Sequence, residues 1–171
     1  MLNVSEGRVL GWGLFAAWLV HDVEEVLTAT WWSRRTVPRL RADGWPGWLV
    51  DGAATSSARF TVAAAVVGVA VLLVAWHGAR TGGRSPVFQA VVLVFGWHGL
   101  VHTGQAVLVR GYVPGLIAAV LCAVPYSIWA WRACGRNAQA RRPSVVTVIG
   151  VAVAGIALTL AAQSLSWLLL G

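Results

Sequence analysis

The sequence predicts an all-α, polytopic membrane helical bundle: a single transmembrane domain over residues 1–171 with about five transmembrane helices. Three observations carry this. The chain is 58% hydrophobic and only 11% charged, against about 25% charged residues in an ordinary soluble domain. Its mean hydropathy is +0.71. Its apolar residues fall in long continuous runs without alternation, and in lipid such runs satisfy their backbone polar groups as helices. The composition excludes an ordinary soluble globular domain and a disordered chain.

The formal charge of +7 comes from thirteen arginines and no lysine. Most stand in short segments between apolar runs, where they meet water and lipid headgroups. Membrane lipids are therefore the expected partners, and nucleic acid is not. The arginine-only usage, with its richness in Ala, Val and Gly, reads as a high-GC coding bias. The expected location is the cytoplasmic (inner) membrane of a bacterium. The first apolar run lacks a basic leading region and a small-residue cleavage site, so no cleavable signal peptide is expected. Cys122 and Cys134 lie about 18 Å apart along one helix, too far to pair.

Residues 9–31 read as the first span, interrupted by His21, Asp22, Glu24 and Glu25 and closed by Trp31-Trp32-Ser33-Arg34-Arg35. Aromatics followed by arginines mark an interface. Residues 36–51, with Pro38, Gly44 and Pro46, read as a loop with an interfacial portion anchored by Trp45 and Trp48. The second span is residues 59–76, followed by His77 as an interface residue and a Gly- and Arg-rich turn. The third is residues 87–109 and carries His98, His102 and Gln105. After the tight connection from Arg110 to Gly115 comes the fourth span, residues 116–131, and then a basic loop. The fifth, residues 144–169, has no ionisable residue, and its Gln163 suits a hydrogen bond between helices.

Six ionisable groups stand inside these spans. Each costs about 2.5–3.5 kcal/mol on insertion scales and marks a functional site by default. His21, Glu24 and Glu25 share one helix face by their spacing of three and four, and so do His98 and His102. The first and third spans cross in the same direction. At 1.5 Å per residue both clusters lie within about 8 Å past the middle of the bilayer, so they would face each other.

Three imidazoles and two carboxylates at one depth are a sufficient ligand set for a divalent metal, with zinc or iron expected. The expected ligands are His21, His98, His102 and one glutamate, with Glu25 as the candidate. The remaining carboxylate would orient a ligand or act as general base, so Glu24 and Glu25 both stand as catalytic candidates. Tyr112 and Tyr126 are further catalytic candidates, because Tyr112 flanks the cluster and the Tyr126 hydroxyl needs a partner inside a span. Trp18 and Trp97 could wall an apolar pocket, with Gln105 and Arg110 as substrate contacts. A buried set of Glu–His hydrogen bonds joining two helices is the plainer reading, and it is weakened by the number of groups at one depth.

The residues His21-Asp22-Val23-Glu24-Glu25, His102-Thr103-Gly104-Gln105, Arg110-Gly111-Tyr112-Val113-Pro114-Gly115 and Pro125-Tyr126-Ser127 together resemble the HXXEE-motif family of small integral membrane proteins. The resemblance covers roughly Leu14 to Trp131. It implies a helical membrane domain whose histidines and glutamates are the metal-binding or catalytic groups.

The expected function is a membrane-embedded, metal-dependent enzyme. Its chemistry would be acid/base work such as isomerisation, cyclisation, epoxide opening or hydrolysis on a lipophilic small molecule, in natural-product or lipid biosynthesis. The alternative is a proton-coupled transporter or proton relay, since intramembrane Glu and His chains also carry protons. Five spans without an inverted repeat are few for alternating access, although a homo-oligomer could supply more.

Overall fold

Capping chemistry sets the ends of the apolar helices. The Ser56 hydroxyl accepts from the Arg59 amide and the Ser85 hydroxyl from the Phe88 amide, which satisfies donors that a helix start leaves open. The computed structural model describes residues 4–137 and 139–170. Its helices are α1 (Val4–Ala42), α2 (Gly47–Ala53), α3 (Ser57–Thr81), α4 (Pro86–Leu108), α5 (Leu116–Gly135) and α6 (Val145–Leu170). No strand occurs among the described residues.

Four helices, α3 to α6, are long and apolar enough to cross a membrane. The remaining expected span, the first (residues 9–31), lies in α1, whose apolar character is broken by Asp22, Glu24 and Glu25. It runs antiparallel to α3: Gly11 lies against Ala75 and Ala79, and Gly68 against Trp18. Further along, Thr30 bonds Ser57. It runs parallel to α4, with Leu10 near Gly83, His21 near His98, and Trp32 near Tyr112. The expected common direction of the first and third spans is what the register gives.

Close approach of α1 and α3 depends on small residues. A Cβ at Gly11 would overlap the Ala75 carbonyl and the Ala79 amide. Gly7 and Gly11 form a small-xxx-small pair of the kind that lets helix backbones meet in lipid.

The first span is longer than its sequence suggests. Residues 36–42, expected as loop, continue α1 to a total of 39 residues, with Pro38 inside the helix. That length is about 58 Å, well beyond the roughly 30 Å hydrocarbon layer. Proline inside a helix costs about 3 kcal/mol. Burial offsets this, because Trp32, Val37 and Leu40 close a small core with Val50 and Val113, at about 1.5–3 kcal/mol per fully buried apolar side chain. The rest of the expected loop holds α2, whose Trp48 is exposed as an interfacial residue would be.

The main core joins Leu10 and Leu14 of α1 to Phe88 and Val92 of α4 and Ala130 and Cys134 of α5. Helix α5 opens into a wider π turn over Ala119–Ala123, just before Pro125. A proline ring clashes with the carbonyl four residues earlier, and a widened turn relieves that clash. The turn brings Ala119 and Ala123 against Gly99 of α4.

Candidate metal centre

Helix α1 presents His21 and Glu25 one turn apart, and α4 presents His98 and His102 one turn apart. Parallel packing at matching height turns both pairs inward. His21 Nε2 lies 3.1 Å from His98 Nε2, and His98 Nε2 lies 3.0 Å from His102 Nε2. Glu25 Oε1 is 3.3 Å from His102 Nε2 and 3.8 Å from His21 Nε2. One donor atom from each of the four residues lies within 4.8 Å of every other.

These separations suit a cation. Zinc bonds of about 2.0–2.1 Å in a tetrahedron place neighbouring donors about 3.3 Å apart. Proton counting argues the same way. Each neutral imidazole nitrogen offers either a proton or a lone pair. His98 Nε2 faces two imidazole nitrogens, while His102 Nε2 faces both His98 and Glu25. A proton on His102 that serves Glu25 leaves His102 unable to accept from His98, so one close contact stays unmatched. A cation at the centre meets all four lone pairs at once. The residues present fit a divalent metal.

His21, Glu25 and His102 are buried, whereas His98 is exposed and leaves one side of the cluster open. Phe95 stands edge-on to the His21 ring at 6.1 Å. Gly115 covers the cluster from the loop before α5. Its φ of +81° is a left-handed conformation, and a Cβ there would lie 2.7 Å from His21 Cε1 and 2.9 Å from Glu25 Cγ. Glycine satisfies both conditions.

Glu25 and His102 also border a cleft of about 640 Å³ between α1, α2, α3, α4 and α6. Trp32, Leu40, Val50, Phe60, Leu108 and Val113 make much of its wall. Arg59 and Asp51 stand at its far end, where Arg59 stacks on Trp167 at 3.5 Å and Asp51 pairs with Arg41.

The structure gathers His21, Glu25, His98 and His102, and it places the other candidates elsewhere. Glu24 is not one of the four gathered donors. Its carboxylate accepts from Tyr112 Oη at 2.6 Å, from the Ile117 amide at 3.1 Å and from the Ala118 amide at 2.6 Å. The Glu24 carboxylate, expected as a ligand's partner or general base, is thus engaged in holding the start of α5. The Tyr112 hydroxyl binds Glu24 and Thr28. Tyr126 donates to the Leu10 carbonyl at 2.6 Å and packs in the main core, away from the cluster.

Trp18 packs on Gly68 and Phe15 rather than walling the cleft, and Trp97 is 67% exposed on the outer face. Arg110, with φ +50°, ends α4 in a left-handed cap, where the Gly111 amide bonds the Ala106 carbonyl. Its backbone, not its charge, has the visible role. Gln105 does line the cleft. Gln163 lines it as well and makes no side-chain hydrogen bond among the described residues, contrary to the expected bond between helices. Its place beside the site had no signal in sequence beyond being a polar residue in an apolar span.

A family model described as "Protein of unknown function with HXXEE motif" matches residues 12–130, a stretch that contains all four converging side chains. No curated protein and no solved structure matches the chain.

Proposed function

The chain belongs to the HXXEE-motif family, and from its own geometry we propose that it is a metal-dependent enzyme of the membrane interior acting on a lipophilic small molecule. The observation that carries the reading is that Glu25 and His102 belong both to the four-donor cluster and to the wall of the largely apolar cleft. A molecule drawn from the bilayer into that cleft would meet the cluster directly.

His21, His98 and His102 would hold a divalent cation, with Glu25 as the fourth donor. A bound zinc or iron ion supplies Lewis acidity, polarising an oxygen function or lowering the pKa of a water. Glu25 is the carboxylate of the set that borders the cleft, so it is placed to take or give a proton. Proton-transfer chemistry such as isomerisation, cyclisation, epoxide opening or hydrolysis suits such a site. The buried side of the cluster, under Phe95 and Gly115, keeps bulk water from the donors. A proton relay has less support, since it needs ionisable groups strung across the membrane and these are gathered at one level.

Elemental analysis of detergent-purified, never-chelated protein tests the metal. About one zinc, iron or manganese ion per chain is expected in the wild type, with loss in His21→Ala, His102→Ala and Glu25→Gln. Folded wild-type protein without metal would overturn the reading. Mass spectrometry of lipid-soluble extracts from cells producing wild type or His102→Ala tests catalysis. A substrate–product pair that shifts with the wild type alone is expected.

A further inference from the structure

The four donors are not equally enclosed. His21, Glu25 and His102 are buried, and His98 alone of the four is exposed. Gly115 lies against the His21 ring and Glu25, and Phe95 stands edge-on to His21. Glu25 in turn reaches His21 and His102. His98 has a looser seat. Among the described residues its polar contacts are His21 Nε2 at 3.1 Å and His102 Nε2 at 3.0 Å, and its ring neighbours are the same two imidazoles. It stands one turn before His102 on the same face of α4, and His102 borders the cleft. The exposed corner of the cluster therefore adjoins the inner end of the cleft.

Four protein donors close a zinc site, whereas a catalytic zinc keeps three protein donors and one open position. For this cluster to act on a molecule, one donor has to yield its place. A buried side chain in a close-packed interior has no room to turn away. An exposed one, once unbound, changes rotamer within nanoseconds. The pattern of exposure thus singles out His98. Without it, His21, His102 and Glu25 remain. Two imidazoles and a carboxylate are a complete protein ligand set for a catalytic zinc or a non-haem iron.

We propose that His98 is the exchangeable donor of the cluster: it fills the fourth position at rest and gives it up to an incoming oxygen donor, a water or an oxygen function of the substrate. This deepens the functional reading above and rests on the cluster holding a metal. The exchange is balanced. As the incoming oxygen shares a lone pair with the ion, His98 Nε2 withdraws with its own, so the number of donors is kept and nothing is oxidised or reduced. His21, His102 and Glu25 keep the ion in place throughout.

The test uses the full chain loaded with cobalt, whose visible bands report its coordination, and X-ray absorption fine structure to count imidazoles. Azide stands in for the incoming donor. The wild type is expected to show three imidazoles without azide and two when saturated with it. His98→Gly should keep its cobalt with two imidazoles, retain both when azide binds, and take up azide at a concentration roughly tenfold lower, since no donor has to leave. Free imidazole should restore the wild-type bands in His98→Gly. It should fail to do so in His21→Gly and His102→Gly, whose vacated positions are enclosed. Wild type that binds no azide, or binds it with three imidazoles retained, overturns the proposal, and this arm needs no variant to fold. Loss of an imidazole from His98→Gly on adding azide, or rescue by imidazole at His21→Gly or His102→Gly as good as at His98→Gly, overturns it as well.

Cobalt content measured on the same samples separates the two readings. Cobalt held by an unchanging set of three imidazoles overturns the exchange and leaves the metal centre standing. Folded wild type that takes up no cobalt overturns the metal centre, and the exchange with it.

Discussion

Tyr112 and Glu24 are joined by a 2.6 Å hydrogen bond across 88 positions of the chain. The same carboxylate accepts the Ile117 and Ala118 amides, which are donors that the start of α5 leaves open. A negative charge there also favours the helix dipole. The Tyr112 carbonyl is tied back to α1 by Trp32 Nε1 at 2.7 Å. Glu24 thus fixes the loop that carries Gly115, while its neighbour Glu25 turns to the imidazoles. Two adjacent acids of one motif have different duties, one holding the frame and the other entering the site.

Tyr112→Phe should lower stability by about 1 kcal/mol, the worth of one hydrogen bond, with metal content unchanged. Burial first, and then the bond to Glu24, push the Tyr112 phenol up to about 12. A raised folded value for this acid means the stabilisation is fully present below its unfolded value near 10 and is lost as pH rises through about 12. Thermal melts of both proteins should therefore differ by a constant amount at pH 7 and 9, and the difference should shrink by pH 11–12. A difference that falls between pH 7 and 9 would contradict the assignment.

The division of labour between the glutamates gives a paired prediction. Glu25→Gln replaces a charged donor of the cluster and should weaken metal binding by a hundredfold or more. Glu24→Gln leaves the four donors in place and disturbs only their support, so its loss of affinity should stay within about 10–100-fold. It should cost more stability than Tyr112→Phe, because three hydrogen bonds are affected. Competition with a fluorescent zinc chelator measures the first effect and thermal melts the second. Equal metal losses in the two variants would merge the roles separated here.

Removal of the proposed metal should destabilise the bundle, since α1 and α4 meet at the cluster. A ligand that binds the folded state at a hundred times its Kd contributes about 2.7 kcal/mol. A chelator should lower the melting temperature of the wild type, and added zinc should restore it. His98→Ala should show a smaller response to both treatments. Because the donors must be deprotonated to bind, the metal-dependent part of the stability should be lost in acid.

The helix pattern and the facing histidine pairs were legible in the sequence because both follow from short periods. Spacings of three and four place His21 with Glu25 and His98 with His102 whatever the tertiary structure, and span centres gave their common depth. The continuation of α1 past Pro38 was not legible, since it depends on Trp32, Val37 and Leu40 finding Val50 and Val113, contacts made by folding. The role of Glu24 was hidden for the same reason, as its partners come from the loop and helix that follow α4. Gln163 was recognisable as a polar residue in lipid, but its facing the cleft depends on how α6 seats against α3 and α4. The tryptophans misled by chemistry: an indole serves equally in a pocket, an interface or a lipid-facing surface, and Trp97 takes the last.

Gly115→Ala should damage the site without removing a donor. The new Cβ would meet His21 Cε1 at 2.7 Å and Glu25 Cγ at 2.9 Å, at a backbone φ of +81°. The left-handed conformation costs about 1–2 kcal/mol for an alanine, and overpacking adds typically 1–3 kcal/mol. A loss of roughly 2–5 kcal/mol in stability is expected, together with reduced metal content as His21 and Glu25 are pushed apart. Gly104→Ala is the matching control, because a Cβ there meets nothing within 4 Å. Replacing that helical glycine should stabilise α4 by about 0.5–1 kcal/mol with the metal retained. If Gly115→Ala melts and binds metal like Gly104→Ala, the loop before α5 does not cover the cluster, and the link from Glu24 through that loop to the site is broken.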